Sequence, residues 1–499
     1  MNSVDAMALA ILAPLFAAAL SFAWPRAGRW FAIAAAGAVA LGAMTLARQV
    51  MSAGVQRHRV GDWAAPLGIE LRADGLATLM LIIAAVIGTA ITIYAPHYFS
   101  CASYGHKSES AHQERYFWPL WLFLWTALNA LFLSADIFNL YVTLELLGFA
   151  AVMLVALAGQ ASAFTAAMRY LFVSLTGSLF YLLGVGLIYG AYATVDLSLL
   201  SGLIKPTSVT WTALALMTVG LLMKTALFPM HFWLPPAHAN APAPVSALLS
   251  ALVVKGGFCI LLRLWFEAYG ATATPGAAQL LGAFGAAAVF WGSLQALLQA
   301  RLKMLVAYST VCQLGYLFLI YPLAWQQQEG FTAWSGGLIF LTAHACGKTA
   351  MFLTAGNIMM AAGHDRIRDL DGITHVLPVS VFAFALAGIS LAAIPPSSGF
   401  MGKWLLLNAA LSHGQWLWAV VMVLGGLLAA AYVMRVLSHA FTRDKEPPAL
   451  QPISPVMEWT AFTLALLAVL LGFASSWPAE LLRAGAPLGG PLLSGGGGL

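Results

Sequence analysis

Apolar runs long enough to cross a membrane dominate this chain, and short polar loops separate them. A helix needs about 20 consecutive apolar residues to cross the hydrocarbon core of a bilayer. The runs predict approximate spans at residues 7–23, 30–46, 76–98, 117–134, 137–157, 166–194, 210–229, 245–266, 276–299, 305–322, 333–361, 377–397 continuing to about 412, 416–437 and 459–476. The pattern therefore predicts fourteen transmembrane helices, of which the twelfth is long and interrupted at IPPSSGFMGK.

Composition agrees with this pattern. Hydrophobic residues make up 61% of the chain, charged residues only 8%, and the mean hydropathy is +0.86, whereas about a quarter of the residues of a soluble domain are charged. The first apolar run carries Asp5 and no basic residue ahead of it, which favours a spanning helix over a cleaved signal peptide. We therefore expect an all-α polytopic membrane protein embedded in a lipid bilayer.

The distribution of lysine and arginine predicts the orientation, because short cytoplasmic loops are enriched in these residues. With both termini outside, the inward loops hold Arg26 and Arg29, Lys107 and Arg115, Arg169, Arg301 and Lys303, Arg366 and Arg368, and Arg443 and Lys445. The outward residues 47–75 are an exception, with acids among their arginines, and HRVGDWAAPLGIELRADG resembles a hairpin with a Pro-Leu-Gly turn. The glycine-rich C-terminal tail is expected to be flexible.

No pattern for a cofactor, a metal or a nucleic acid is found in the sequence. The four cysteines, Cys101, Cys259, Cys312 and Cys346, are far apart and form no CxxC pair, so an iron–sulfur or zinc site lacks its usual spacing. The glycines of LGAFGAAA do not follow a strand, which argues against a dinucleotide-binding loop. Basic residues are scattered, so a nucleic-acid partner is not indicated. We expect no cofactor and no metal in this chain.

The candidate chemistry lies in buried charge. Four lysines fall inside predicted spans: Lys224, Lys255, Lys348 and Lys403. An ionised lysine at the centre of a bilayer costs about 2.5 to 3.5 kcal/mol on insertion scales. Burial disfavours an ammonium and a nearby carboxylate favours it, so a lysine whose carboxylate partner can approach or withdraw is a proton site of adjustable affinity.

Glu145 is the candidate partner for these lysines, because it is the acid that lies well inside a predicted span. Asp136 stands at the start of the same helix, where it could cap the helix instead. Each lysine alone could also extend to the membrane interface or form a static ion pair.

Prolines predict two broken helices. Pro229 should break the seventh span just beyond Lys224, and the chain then resumes through a segment that contains His231 and His238. Pro395, Pro396 and Gly399 interrupt the twelfth span, and Lys403 follows four residues after this glycine. Broken spanning helices in corresponding positions of two halves indicate a binding or conduction site.

A histidine and a lysine share one helix face between these breaks. His344 and Lys348 are spaced i, i+4 in LTAHACGKTAMF, and residues at this spacing are neighbours on a helix. The histidine could be a buried core donor, but together with a lysine it suits a proton relay.

These segments resemble the antiporter-like family shared by respiratory complex I, group 4 membrane hydrogenases and Mrp-type cation/proton antiporters. The resemblance covers the chain except its tail. It rests on LYVTLELLGF, the K-x4-P-x-H-F-W-L-P run from Lys224 to Pro235, APAPVSALLSALVVK, RLKMLVAYSTVCQLGY, HACGKTAMF and IPPSSGFMGKW. Directly after the Lys224–Pro235 run, the chain departs from the family pattern at Pro236, where an acid is usual.

The resemblance implies a fourteen-helix fold with two inverted five-helix repeats, each holding one broken helix. Residues 1–110 would form helices 1–3 with the outward hairpin, 111–270 the first repeat, 271–440 the second repeat, and 441–499 helix 14 and the tail. By resemblance, Glu145 and Lys224 form a modulating ion pair. Lys255, His344 and Lys348 form the central hydrophilic axis, and Lys403 is the terminal proton site.

Three functions remain open from the sequence. The first is a proton-translocating membrane subunit of a multisubunit Mrp-like antiporter. The second is a proton-pumping subunit of an NADH:quinone oxidoreductase-like or hydrogenase-like complex, which would make the chain part of a redox translocase without a redox centre of its own. The third is a scaffold or energising partner for inorganic-carbon uptake. All three place the chain in the bacterial inner membrane beside other membrane subunits, and any sodium site would belong to a partner subunit.

Overall fold

The computed structural model describes residues 1–66, 68–102, 107–270, 272–325, 330–442 and 451–488. The predicted inward charges Arg443 and Lys445, the side chain of Lys107 and the tail 489–499 lie outside the described part of the chain, as does Leu67 of the Pro-Leu-Gly turn.

The architecture is almost entirely helical. The helices are α1 Ser3–Ala23, α2 Gly28–Ala53, α3 Gly75–Ala102, α4 Lys107–Leu133, α5 Ile137–Ala156, α6 Ala161–Tyr192, α7 Leu197–Leu203, α8 Ser208–Lys224, α9 Leu234–Asn240, α10 Ala243–Leu248, α11 Val254–Arg263, α12 Pro275–Leu298, α13 Leu302–Phe318, α14 Ile320–Ala324, α15 Gly330–Ala362, α16 Pro378–Leu391, α17 Ser398–Ser412, α18 Trp416–Phe441, α19 Pro455–Leu470 and α20 Ser476–Arg483. One hairpin, β1 Gln56–Arg59 and β2 Glu70–Ala73, pairs antiparallel.

Each predicted span coincides with a described helix. Within the described residues, eleven helical segments are long and apolar enough to cross a membrane. The three remaining predicted spans correspond to the shorter apolar helices α8, α16 and α19. The all-α membrane fold is confirmed, and the number of crossings stays a prediction, as does the division into repeats.

Burial separates central from peripheral helices. The most apolar stretches of α15 and of the continuous segment Ala243–Ala268 are completely buried. In contrast, α6 and α18 expose large apolar side chains such as Leu183 and Leu427, the pattern of helices that face lipid on one side. Polar groups placed on the central helices are therefore shielded from lipid by protein.

The first predicted break is present. Helix α8 ends at Lys224, and the chain turns through Ala226, whose φ is +54°. A 3₁₀ turn at Met230–Trp233 then leads into α9. Positive φ is unusual for a residue with a Cβ atom, so the helix ends through a left-handed alanine before the chain reaches Pro229.

The second break repeats this geometry. Helix α16 ends at Leu391, Ala393 has a φ of +61°, and α17 begins at Ser398 after the two prolines. Gly399 lies in the first turn of α17. A Cβ atom there would be 1.8 Å from the carbonyl oxygen of Ser390, so only glycine allows the two half-helices to approach this closely.

The predicted hairpin is present, its outward position stays a prediction, and its turn is longer than expected. Residues 60–69 connect the strands and include a 3₁₀ turn at Val60–Asp62. Thus the Pro-Leu-Gly segment is one part of a broader loop.

A buried charge network ties this hairpin to the helix that carries Lys255. Asp74 accepts hydrogen bonds from both terminal nitrogens of Arg263, at 2.8 and 3.1 Å, and lies 3.0 Å from Arg72. Glu267 pairs with both arginines. Burial acts to raise the pKa of Asp74, but the charges of Arg263 and Arg72 outweigh it and lower the pKa to about 2. Asp74 therefore stays ionised at physiological pH.

Loops that were predicted to share a side contact one another. In segments assigned outside, the main chains of Asp136 and Asp196 form an isolated antiparallel β-bridge, and the amide of Gly75 donates to the carbonyl of Ala484. In segments assigned inside, the main chains of Arg301 and Arg366 form a second isolated β-bridge. This grouping is consistent with alternating spans, and the absolute orientation stays a prediction.

Candidate functional site

Five lysines are buried among the central helices. The four predicted from the sequence are joined by one more: Lys224, Lys255, Lys303, Lys348 and Lys403 are between 0% and 7% exposed. The assignment of Lys303 to an inward loop was wrong. It lies in the first turn of α13 and is fully buried, because α9, the short helix after the first break, packs against the start of α13.

Lys224 forms the predicted ion pair with Glu145. Its Nζ lies 2.9 Å from Oε1 of Glu145, and the two side chains are 6% and 16% exposed. Ser174 of α6 accepts a second hydrogen bond from Nζ at 2.7 Å, and Ser178 of α6 donates to Oε1 of the carboxylate. The contact is confirmed; its role in proton transfer stays a prediction.

The neighbouring backbone is shaped to accept this pair. A Cβ atom on Gly148 of α5 would lie 2.8 Å from Oγ of Ser174 and 3.3 Å from Nζ of Lys224, so glycine provides the space for the ammonium. Trp233 donates its indole N–H to the carbonyl of Met223, at 3.0 Å, and stacks on Tyr170. The first of these contacts adds a side-chain donor to a carbonyl of the last turn of α8, which also accepts the amide of Ala226 at 3.3 Å.

Lys255 depends on an irregular helix. The segment Ala243–Ala268 contains two π-helical stretches, Leu249–Val253 and Leu264–Ala268, and such stretches occur frequently at functional sites. Nζ of Lys255 donates at 2.6 Å to the carbonyl oxygen of Ser250, inside the first stretch. The lysine is thus held within its own helix.

Hydroxyl and carbonyl groups connect Lys255 with Lys348. Oγ of Ser250 lies 2.9 Å from Oγ1 of Thr310, which donates to the carbonyl of Val306 at 3.1 Å. Nζ of Lys348 donates to that same carbonyl at 3.2 Å, and also to Ser309. Polar groups of Ser250, Thr310 and Val306 therefore lie between Lys255 and Lys348 across α13, whereas His344, the third member of the predicted axis, has no hydrogen-bond partner among the described residues.

Lys403 lies beyond the second break in a cation-binding environment without a carboxylate contact among the described residues. Nζ donates to the carbonyl of Leu391 at 3.0 Å and lies 3.8 Å from the ring centre of Tyr316 and 5.1 Å from that of Phe340. Aromatic ring faces attract cations. His344 is fully buried and stacks on Phe340, which places it between Lys348 and Lys403.

Four of the five buried lysines share one type of partner. Lys255, Lys303, Lys348 and Lys403 each donate to a main-chain carbonyl oxygen, of Ser250, Ala241, Val306 and Leu391 respectively. Within the described ranges, Lys224 is the buried lysine that has a carboxylate partner. The hydrogen bonds of the described residues do not join Lys224 to Lys255.

The secondary candidates have different positions. Asp136 caps α5 by accepting the amide of Asn139 at 2.5 Å, so its capping role is confirmed. His231 lies in the turn after the first break and stacks on Phe228. His238 of α9 is fully buried and packs against the ring of Phe352, which lies one helical turn after Lys348 in α15.

Within the part of the chain that the structure describes, no group of three or more histidine, cysteine, aspartate or glutamate side chains is placed to hold a metal ion. The side chains of the site can hold, pass and release protons, because amines and imidazoles both bind protons reversibly.

A known family matches the part of the chain that carries this site. The sequence profile described as "NADH:quinone oxidoreductase/Mrp antiporter, TM" matches residues 134–429, more than half of the 499 residues. The chain belongs to this family. The matched region includes both helix breaks and all five buried lysines.

Relatives within the family carry two kinds of name. The NADH-quinone oxidoreductase subunit N of Desulforudis audaxviator is 34% identical over 90% of this chain and 89% of its own length. A Na(+)/H(+) antiporter subunit of Alkalihalophilus pseudofirmus is 29% identical over 86% of this chain and 85% of its own length.

Chains of three solved membrane complexes share the fold. A chain of the Mrp complex from a Dietzia species superposes with a TM-score of 0.86 at 24% identity, over 98% of both chains. A chain of the archaeal membrane-bound sulfane sulfur reductase superposes with a TM-score of 0.83 at 25% identity, over 98% of this chain and all of that one. A chain of Thermus thermophilus respiratory complex I superposes with a TM-score of 0.80 at 23% identity, over 97% of this chain and all of that one.

Several contributing residues could not be predicted from the sequence. Ser174, Ser178, Ser250 and Thr310 are small hydroxyl residues in apolar helices, where they are common for many reasons. Gly148 had a usable signal, since it lies three residues after Glu145 and so on the same helix face.

Proposed function

We propose that this chain is a proton-translocating membrane subunit of a multisubunit cation/proton antiporter-like complex. The observation that carries the proposal is the line of buried basic groups: the Glu145–Lys224 pair at one end, Lys255 and Lys348 in the middle, and Lys403 at the other end. Four buried lysines without a carboxylate contact among the described residues are costly to keep charged. Stability alone does not explain them.

Each part of the line has a stated task in this proposal. Glu145 favours the protonated form of Lys224 while the pair is closed, and separation of the pair releases that proton. Lys255 and Lys348 exchange protons within the polar region at α13 that is lined by the hydroxyl groups of Ser250 and Thr310 and by the carbonyls that hold the two amines. Lys403 holds the last proton between a carbonyl and two aromatic rings until it leaves.

The translocated ion in this proposal is the proton. Sodium prefers hard oxygen ligands, as other hard cations do, and the carboxylate that contacts a buried lysine among the described residues, that of Glu145, is already paired with Lys224. A sodium site of the assembly would belong to a partner subunit. The partners would be other membrane subunits, because the similar chains are parts of an Mrp complex, a reductase complex and complex I.

A second candidate function is supported by the relative named NADH-quinone oxidoreductase subunit N, which is 34% identical. The same lysines would then pump protons with energy from a redox reaction in a partner subunit. A scaffold in inorganic-carbon uptake remains a third proposal, and it differs from the others because it does not require the lysines to titrate.

Purification of the native complex separates the first two functions. For an antiporter we expect copurified membrane subunits without stoichiometric flavin or iron–sulfur protein, and proton movement driven by a sodium gradient in proteoliposomes. Copurifying flavin and iron–sulfur subunits, with proton pumping that depends on NADH or another reductant, would favour the redox complex instead.

We place the chain in the bacterial inner membrane with both termini outside, and cysteine labelling tests this orientation. A cysteine placed in residues 364–371, where Arg366 and Asp369 are exposed, should react with a membrane-impermeant maleimide only from the cytoplasmic side. A cysteine near Lys445 should behave in the same way. A cysteine at the exposed Lys205 is the matched outward control, and the reverse labelling of the two groups would invert the topology.

A further inference from the structure

Lys303 lies at the inward end of the buried lysines and was absent from the sequence-derived relay. It is fully buried in the first turn of α13, and its Nζ donates to the carbonyl of Ala241. Ala241 is the C-cap residue that directly follows α9, the short helix after the first break. The amine is therefore held between the start of one helix and the end of another.

One side of Lys303 leads to the surface assigned to the cytoplasm. The amide of Leu302 donates to the carbonyl of Asp365 at 2.7 Å, and Nε of Arg301 lies 2.9 Å from the carboxylate of Asp365. The side chain of Arg301 is 48% exposed, whereas that of Asp365 is 8% exposed. Asp365 therefore lies at the boundary between the exposed loop and the interior. Its negative charge favours the ammonium form of Lys303.

The other side of Lys303 leads to the central lysines through His238. His238 lies one turn before Ala241 in α9, is fully buried, and has no hydrogen-bond partner on either ring nitrogen among the described residues. Its ring packs on Phe352 of α15, which lies one helical turn after Lys348 in the same helix. An imidazole in this position can accept a proton on one nitrogen and release it from the other.

We propose that Lys303 is the proton-uptake residue of this chain, exchanging protons with the inward surface at Asp365 and with the central lysines through His238. This inference rests on the proposed function. In each step the Lys303 ammonium gives one proton to a ring nitrogen of His238, and the resulting neutral amine takes one proton from the inward surface. No electrons are exchanged.

A static role for Lys303 makes a different prediction. A cation at a helix C-terminus stabilises the helix through its dipole and its free carbonyls, and Lys303 meets this description at α9. Lys303→Arg keeps the positive charge, but a guanidinium does not release its proton at physiological pH. Lys303→Gln keeps an N–H donor for the Ala241 carbonyl and removes the titratable group. If the role of Lys303 is purely structural, transport should therefore survive in Lys303→Arg when the charge matters, or in Lys303→Gln when the hydrogen bond matters.

The test compares proton transport by the complete complex in proteoliposomes for wild type, both Lys303 variants, and the exposed control Lys205→Gln. At neutral inward pH we expect both Lys303 variants to lose transport by about tenfold or more, as for a lost proton-transfer group, at unchanged melting temperature of the complex. Acidification of the inward side should restore part of the rate, because water then delivers protons directly to His238, whereas outward acidification should not. Lys205→Gln should match wild type.

Two results would overturn the proposal. Normal transport in either Lys303 variant would reduce the lysine to a helix cap, and so would a loss that inward acid does not relieve. Failure of the relay as a whole is recognised separately, because transport would then also survive Lys224→Ala and Lys403→Ala in the same assay.

Discussion

Replacing either member of the Glu145–Lys224 pair is expected to reduce proton-coupled transport on the order of a hundredfold, the scale of a lost general acid or base. Glu145→Ala leaves the ammonium with Ser174 alone, 2.7 Å away, and so removes the charge that favours the protonated lysine. Lys224→Ala removes the proton carrier itself. Lys224→Arg should be equally poor, because the guanidinium keeps its proton.

Protein stability has to be separated from transport in this experiment. Breaking a buried ion pair at one partner costs about 3–5 kcal/mol, so the single variants can lose function by unfolding. The double variant Glu145→Gln, Lys224→Met removes both charges and avoids an unpaired one. It should accumulate in the membrane like wild type and still fail to transport. Near-normal transport in the double variant would remove the pair from the mechanism.

Lys403→Ala is expected to reduce translocation on the order of a hundredfold while the Glu145–Lys224 pair remains intact. The second half of the line then lacks its last titratable group, because His344 and Lys348 belong to α15, whereas Lys403 belongs to α17. Lys403→Glu should retain a small part of the activity. A protonated carboxyl can donate to the Leu391 carbonyl, but an ionised one would face that carbonyl and the ring of Tyr316, which both repel an anion.

A pH-gradient assay in vesicles at matched expression compares the Lys403 variants with wild type. The contacts to Leu391 and to the two rings are made by Nζ, so Lys403→Met serves as a control that keeps most of the aliphatic chain and removes the amine. It should be as inactive as Lys403→Ala. Full transport in either variant would leave Lys403 as a structural cation at the start of a broken helix.

Sequence was sufficient where lipid imposes a simple rule. A helix in hydrocarbon must be apolar over its length, so the spans could be located, and an acid inside a span stood out, so Glu145 could be named as the candidate partner of the buried lysines. Its assignment to Lys224 came from the resemblance to the antiporter-like family. The prolines likewise indicated both breaks. The left-handed alanines, Ala226 and Ala393, carry no sequence signal, because a helix end of this kind is usually marked by glycine.

Sequence was insufficient where burial depends on other helices. Lys303 follows Arg301 at the start of a span, a place where a lysine is usually exposed to water. Its burial results from the packing of α9 over the start of α13, a contact between segments about 60 residues apart that hydropathy does not record. The π-helical stretch beside Lys255 is equally hidden, since its residues are ordinary helix formers.

The main-chain carbonyl partners of four buried lysines have a consequence for how this chain can evolve. Any amino acid at Val306, Leu391 or Ala241 supplies the same carbonyl oxygen, so the lysine contacts set no requirement on these three side chains, which are constrained by core packing instead. Selection on each contact then falls on the lysine and on backbone geometry. Among the residues described, the Glu145–Lys224 contact is the one lysine–carboxylate pair of this line whose two side chains can coevolve.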